Sequence, residues 1–162
     1  MSEQKPAQFP TVRPGLSQLI SLGAGALALL STFLMPWFSV DAILTKMNYT
    51  VFASGADLTG LDLGGTARVF VILAIFGFLA YAATCFVDSK TLLKLNFDLQ
   101  KPMAILFCVL MGLSLLFGLT GRNHPELGGL VGLAYGWFIC LVLTVIFALC
   151  AFTNLASKIG KR

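Results

Sequence analysis

The chain has 162 residues, of which 57% are hydrophobic and only 11% are charged, and its mean hydropathy is +0.89. Soluble proteins typically have roughly 45–50% apolar and about 25% charged residues. This chain has too few charged residues to cover a water-facing surface. The composition therefore excludes a soluble enzyme, a disordered regulator and a nucleic-acid binder. It indicates an integral membrane protein.

Four uncharged runs divide the chain, at residues 14–40, 69–87, 102–121 and 127–157. A helix needs about 20 mostly apolar residues to cross the hydrocarbon core of a bilayer. The sequence therefore predicts an all-α membrane protein, a four-transmembrane-helix up-down-up-down bundle. The predicted spans are about 16–40, 69–87, 103–120 and 127–155.

The remaining segments connect these spans. The prediction places an N-terminal arm at 1–15, outer loops at 41–68 and 121–126, an inner loop at 88–102 and a basic tail at 156–162. Eight of the eleven Lys and Arg residues lie in the arm, the inner loop and the tail. Because Lys and Arg are retained on the cytoplasmic side during insertion, both termini are expected in the cytoplasm. The excess positive charge favours anionic lipid headgroups and requires no nucleic acid as a partner.

Two tryptophans are interpreted as anchors at the outer membrane interface. Trp37 closes the first span, with Pro36 tolerated in its last turns. Trp137 begins the membrane-crossing part of the fourth span, which then runs to Ser157 and has the length of a bilayer crossing. In this interpretation the Gly-rich stretch 128–136 is a helical extension that packs against the outer loop.

The first outer loop is the longest hydrophilic segment. Residues 46–51 are β-prone and roughly alternating, which indicates a short hairpin, and the Gly-rich stretch 54–65 is typical of turns. Asp57 and Asp62 are the recognition candidates of this loop. They have oxygen ligands suited to a cation, but their spacing is not that of an EF-hand, and solvated turns are the favoured alternative.

The inner loop alternates apolar and polar residues over 93–100, the period of a half-buried strand. The alternative is a connector that lies at the membrane interface.

Small side chains recur at helical spacing within the spans, which allows helix backbones to approach closely in a membrane. The alternative is ordinary membrane-helix composition. The predicted helix-packing residues are Gly128, Gly132, Gly136, Cys140, Thr144 and Ala148 of the fourth span, Ala104, Cys108 and Gly112 of the third, and Ser21 and Gly25 of the first. The predicted interface lies either within the bundle or with a partner protein.

Chemically active residues are scarce. No Asp, Glu, Lys, Arg or His falls inside a predicted span, which argues against a proton-coupled transporter or a voltage sensor. The one histidine, His124, lies in the short outer loop, and the four cysteines lie in spans, where they are expected to behave as small apolar residues. The sequence predicts no catalytic residue, no metal ligand and no cofactor.

A resemblance follows from short motifs along the chain. Pro36-Trp37 ends the first span, the outer loop contains Ser54-Gly55 and Asp57-Leu58, and a Gly-x-x-x-Gly motif opens the fourth span. The pattern resembles small uncharacterised bacterial inner-membrane proteins with four spans, and the layout resembles that of claudin-like tetraspan proteins. The resemblance implies a bacterial cytoplasmic membrane and no catalytic residues.

Three classes of function remain open. The leading hypothesis is a non-enzymatic structural or accessory subunit, or a component of a homo-oligomer, that assembles through small-residue helix faces. The alternative is a transporter or channel for a neutral or lipophilic solute. A membrane enzyme ranks last because no acid–base pair, nucleophile or metal site is visible. The expected partners are the lipid bilayer and other membrane proteins or further copies of this chain.

Overall fold

The computed structural model describes residues 13–41, 45–52, 65–87, 98–121 and 130–153. These residues form four long helices and three short strands. In chain order they are α1 (Leu16–Leu34), β1 (Phe38–Asp41), β2 (Lys46–Tyr49), α2 (Gly65–Phe86), α3 (Gln100–Gly121), β3 (Val131–Leu133) and α4 (Tyr135–Phe152). All four helices are long and apolar enough to cross a membrane, with mean hydropathies of 1.6 to 2.4. The prediction of four apolar spans is therefore confirmed.

The first helix is shorter than the predicted span. It ends at Leu34, and Met35 is extended, with φ −107° and ψ 141°. The ring of Pro36 disfavours helical dihedrals at the residue before it, so the helix stops there. The expectation that Pro36 and Trp37 lie in the last helical turns was wrong, because the chain continues directly into β1.

The helices pack mainly in two pairs. The most extensive contacts join α2 to α3 and α1 to α4, and smaller contacts join α3 to α4 and α1 to α2. Large side chains from three of the helices fill the interior: Tyr81, Phe107, Met111 and Phe147 are fully buried. The outward faces carry exposed apolar side chains such as Phe76, Val142 and Leu149. Such faces are suited to contact with lipid, because the hydrocarbon core contains no water to hydrogen-bond polar side chains.

A three-stranded antiparallel sheet of order β2-β1-β3 caps one end of the bundle. Phe38 pairs with Tyr49 on one side and with Leu133 on the other. The Trp37 N–H donates to the Tyr49 carbonyl at 2.8 Å, and the Ala134 N–H donates to the Trp37 carbonyl at 2.9 Å. The β-prone stretch 46–51 thus provides β2 at Lys46–Tyr49. We call this end of the bundle the sheet end.

The start of the fourth span differs from its prediction. Residues Val131–Leu133 form β3, and α4 begins only at Tyr135. The expected helical extension over 128–136 was therefore wrong for residues 130–134, and only Tyr135 and Gly136 of its described part are helical. The backbone groups of this segment are satisfied by β1 rather than by a helix, since the Asp41 N–H donates to the Leu130 carbonyl at 3.0 Å. Gly132 accordingly lies in a strand, and the small-residue series does not run down a single helix face.

Candidate functional site

Gly136, in the first turn of α4, lies very close to the backbone of the segment that follows α1. Its N–H donates to the Pro36 carbonyl at 3.0 Å. A Cβ atom at this position would lie 2.5 Å from the Pro36 carbonyl oxygen and 2.7 Å from the Met35 Cβ. Only glycine fits here without displacing the backbone. The absence of a side chain at Gly136 lets the start of α4 contact the segment that follows α1.

Small residues also line the contact between α1 and α4 further along the bundle. A Cβ at Gly25 would lie 2.5 Å from the Phe78 ring and 3.0 Å from the Phe147 ring. The Cys140 thiol donates to the Ala28 carbonyl at 3.7 Å, and the Thr144 hydroxyl donates to the Cys140 carbonyl at 2.8 Å. These residues bring the two helices close enough for a thiol on one to reach the backbone of the other.

The predicted helix-packing residues divide into three groups. Those buried within the chain are Ser21, Gly25, Ala104, Gly136, Cys140 and Thr144, and those partly exposed are Cys108, Gly112, Gly132 and Ala148. Gly128 lies outside the described residues. Among the partly exposed positions, Gly112 has no neighbour within 4 Å of its Cβ position. Most of the small residues are thus used inside one chain, and Gly112 leaves a notch on the surface of α3.

The two tryptophans lie at the sheet end, Trp37 directly before β1 and Trp137 in the first turn of α4. Trp37 is fully buried, and Trp137 is 8% exposed. The Trp137 Nε1–H donates to the Leu115 carbonyl at 3.1 Å, and both indole rings lie about Gly118, where a Cβ would be 3.2 Å from Trp137 Nε1 and 3.4 Å from Trp37 Cε3. Both rings are enclosed by protein, whereas Tyr135 and Phe138 in the first turn of α4 are exposed at this end.

Aromatic side chains pack together in the interior between α2, α3 and α4. Tyr81 and Phe147 form an edge contact with ring centroids 5.0 Å apart, and Phe147 and Phe107 form another at 4.5 Å. Phe78 extends the group, with its centroid 5.5 Å from that of Phe107. Such contacts stabilise a core beyond the area that they bury. Here they join α2, α3 and α4 in the interior of the bundle.

A polar pocket of about 140 Å³ opens at the end opposite the sheet, which we call the pocket end. It lies where the beginnings of α1 and α3 meet the ends of α2 and α4. Its lining residues are Ser17, Gln18, Tyr81, Asp98, Gln100, Lys101, Cys150 and Ala151. The sequence interpretation missed this site because its residues come from four separate segments.

Hydrogen bonds order the floor of the pocket. Ser21 gives its single hydroxyl proton to the Gln18 carbonyl at 2.8 Å. In its 2.6 Å contact with the Tyr81 hydroxyl, Ser21 is therefore the acceptor and Tyr81 the donor. Ser21 thus contributes a hydrogen bond between α1 and α2 as well as a small side chain.

The amide side chains form the wall of the pocket. Gln18 Nε2 donates to Gln100 Oε1 at 3.0 Å, and Gln18 Oε1 accepts from the Gly15 N–H at 2.7 Å. Gln100 Nε2 donates to Cys85 Sγ at 3.7 Å. The Gln100 N–H donates to Asp98 Oδ1 at 3.0 Å, which caps the start of α3. These bonds fix the orientation of both glutamines at the pocket.

Other sequence candidates lie outside the described residues: Asp57, Asp62 and His124, and most of the alternating inner-loop stretch. Within the described ranges, no three His, Cys, Asp or Glu side chains come together as a metal site. The four cysteines are free thiols.

In comparisons with known proteins, no family model matches the sequence, and no curated protein shows significant similarity to it. The functional argument therefore depends on the residues of this chain alone.

Proposed function

We propose that the chain is a multi-pass protein of the bacterial cytoplasmic membrane, with four helices that alternate in direction and with both termini in the cytoplasm. Alternation is supported by the pocket, whose lining joins the beginnings of α1 and α3 to the ends of α2 and α4. The orientation is supported by the eight Lys and Arg residues in the arm, the 88–102 loop and the tail. The pocket end then faces the cytoplasm and the sheet end faces outward.

Within that membrane the proposed role is that of a non-enzymatic structural or accessory subunit, or of a component of a homo-oligomer. The observation that carries this proposal is the notch at Gly112, the predicted helix-packing glycine of the described part whose Cβ position meets open space. Cys108, one turn earlier, is partly exposed. Because small residues let a second helix approach closely in lipid, we assign the partner-binding face to the Cys108–Gly112 side of α3.

The exposed side chains around the notch suit a helix partner. Ile105, Val109 and Leu116 are each more than half exposed on α3. These large side chains flank the small Gly112 on the surface of α3. In lipid, their packing against a partner helix is favoured by van der Waals contact rather than by loss of water.

The test replaces Gly112 with Leu and measures assembly by native electrophoresis of membranes solubilised in mild detergent. We expect Gly112→Leu to abolish or markedly reduce a complex that the unmodified chain forms. The matched control is Gly23→Leu on α1, because Gly23 also has no neighbour within 4 Å of its Cβ position but was not among the predicted packing residues. If both variants assemble as the parent does, the assignment of this face is wrong.

A transport function is the second candidate, and the polar pocket is the observation that favours it. Its small volume and its hydrogen-bonding wall suit a neutral solute. The closely packed Tyr81–Phe147–Phe107 group opposes it, because a solute would have to displace these rings to pass through the bundle. Flux of small neutral solutes into liposomes that contain the purified chain separates the two proposals, since an accessory subunit gives no flux above protein-free liposomes.

A further inference from the structure

The polar pocket carries two opposite charges on its lining. Asp98 and Lys101 are both exposed, and both line the pocket. No ion pair joins them, so their charged atoms are more than 4.0 Å apart. Asp98 Oδ1 accepts one bond from the Gln100 N–H, and a carboxylate has capacity for several more. The pocket thus holds an anionic and a cationic group that do not neutralise each other by contact.

This charge arrangement restricts the class of ligand. A simple anion attracted by Lys101 would also meet Asp98, and a simple cation attracted by Asp98 would meet Lys101. A molecule that carries an ammonium and an anionic group satisfies both side chains at once. The volume of about 140 Å³ is similar to the roughly 150 Å³ cavity that holds a benzene molecule, so the ligand group is small.

The position of the pocket indicates where such a ligand comes from. It opens at the common end of four apolar helices, and the polar headgroup layer of a bilayer lies directly outside the hydrocarbon that these helices cross. We propose that the pocket binds the headgroup of phosphatidylethanolamine. Asp98 accepts hydrogen bonds from the primary ammonium, and Lys101 pairs with the phosphate.

The glutamines add directional contacts to this site. The hydrogen bond between Gln18 and Gln100 holds both amides at the wall, and each amide nitrogen has a second hydrogen that can be donated to phosphate oxygens. A quaternary choline ammonium has no hydrogen to donate to Asp98, and a glycerol headgroup has no positive charge. Phosphatidylethanolamine is therefore preferred over phosphatidylcholine and phosphatidylglycerol.

The test uses the full chain, delipidated in detergent and mixed with equal amounts of phosphatidylethanolamine, phosphatidylglycerol and phosphatidylcholine. Native mass spectrometry then measures the lipid that remains bound. The unmodified chain is expected to retain phosphatidylethanolamine preferentially. Asp98→Asn keeps an oxygen that can cap α3 but removes the charge. We expect it to reduce the preference for phosphatidylethanolamine over phosphatidylglycerol by roughly two- to fivefold, as for a partly exposed charge pair.

Lys101→Gln supplies the complementary result, because it removes the phosphate partner and is expected to weaken retention of all three phospholipids. The controls are Asp41→Asn and Lys46→Gln. They make the same charge changes in a pair 3.6 Å apart at the sheet end, and retention is expected to be unchanged. Circular dichroism checks that each variant is folded.

Two outcomes overturn the proposal. One is equal retention of the three lipids by the unmodified chain, or a preference that Asp98→Asn leaves unaltered. The other concerns the source of the zwitterion. If soluble phosphoethanolamine at the same concentration displaces the lipid, the pocket belongs to a free cytoplasmic solute rather than to a lipid headgroup.

Discussion

Gly136 lies where the chain leaving α1 meets the start of α4. Because the Pro36 carbonyl oxygen and the Met35 Cβ are 2.5 and 2.7 Å from its Cβ position, even alanine must displace the backbone. We expect Gly136→Ala to lower the free energy of unfolding by about 1–3 kcal/mol, the usual cost of overpacking. Denaturation of the purified chain in micelles, followed by circular dichroism, measures the change.

The control for this prediction is Gly23→Ala. Gly23 is also within a helix, but nothing lies within 4 Å of its Cβ position. Alanine there is expected to leave stability unchanged or to raise it by up to about 1 kcal/mol, because glycine is a poor helix former. Equal stability of the two alanine variants would contradict the close approach at Gly136.

The hydrogen bond between Tyr81 and Ser21 leads to a second prediction about single residues. Both side chains are fully buried, and Tyr81 is the donor. Ser21→Ala removes this acceptor and leaves the Tyr81 hydroxyl its contacts with Cys85 and Gln100, at an expected cost of about 1 kcal/mol. Tyr81→Phe removes the donor itself and is expected to cost about 0.6 kcal/mol, as for interhelical bonds in membranes.

The order of these two costs is the decisive measurement. Unfolding of both single variants and of the double variant under the same conditions gives their coupling. A larger loss for Tyr81→Phe than for Ser21→Ala would mean that the donor has been assigned to the wrong residue.

At the scale of elements, the pairing of β1 with β3 joins the segment after α1 to the segment before α4. Ser39 lies opposite Gly132, and a Cβ at Gly132 would lie 2.9 Å from the Ser39 Oγ. A cysteine at position 39 would have its sulfur in place of this oxygen, beside the Cβ of residue 132, which suits a disulfide. We expect Ser39→Cys combined with Gly132→Cys to form a disulfide under mild oxidation. Counting maleimide-reactive thiols in the denatured chain, before and after reduction, detects it.

The matched control shifts one partner by a single residue, to Ser39→Cys with Leu133→Cys. Neighbouring residues of a strand point to opposite faces, so this pair is expected to keep both thiols free. A disulfide in the control and none in the Ser39–Gly132 pair would show that the register differs by one residue.

The four helices were predictable because their length and composition are set by the bilayer. The strands were predictable only in part. The stop of α1 was readable from Pro36, which restricts the residue before it. By contrast, Gly132 and Gly136 have the spacing of residues on one helix face. The neighbouring sequence does not distinguish a continuous helix from a strand followed by a helix. The partner of β3 is β1, which is about ninety residues earlier, so the pairing depends on tertiary contacts.

The candidate site was less predictable than the fold. The small residues were identified from their spacing, but which of them are used within the chain depends on how the helices pair. Gly25 faces two phenylalanines, while Gly112, of the same type, faces open space. The pocket requires the ends of four helices to coincide, and the hydrogen bond between Gln18 and Gln100 has no signature in a single segment.

At the scale of the whole molecule, the two ends of the bundle differ in chemistry. The sheet end has the three-stranded sheet and the buried Trp37 and Trp137, and the pocket end has amides, hydroxyls and two charges on its lining. The positive charges of the sequence concentrate in the arm, the 88–102 loop and the tail, which are joined in sequence to the helix ends that form the pocket end. The charge asymmetry supports the proposed orientation across the membrane, with the pocket end in the cytoplasm.

This orientation predicts which residues a reagent reaches from outside the cell. Lys46 in β2 and Lys101 at the start of α3 are both exposed, and they lie at opposite ends of the bundle. In intact cells, a membrane-impermeant maleimide is expected to label Lys46→Cys and to label Lys101→Cys only after permeabilisation. The unmodified chain, with its four native thiols, gives the background. Labelling with the opposite pattern would invert the proposed orientation. Labelling of both positions from outside would mean that these helices do not separate two compartments, and the membrane-spanning arrangement itself would fail.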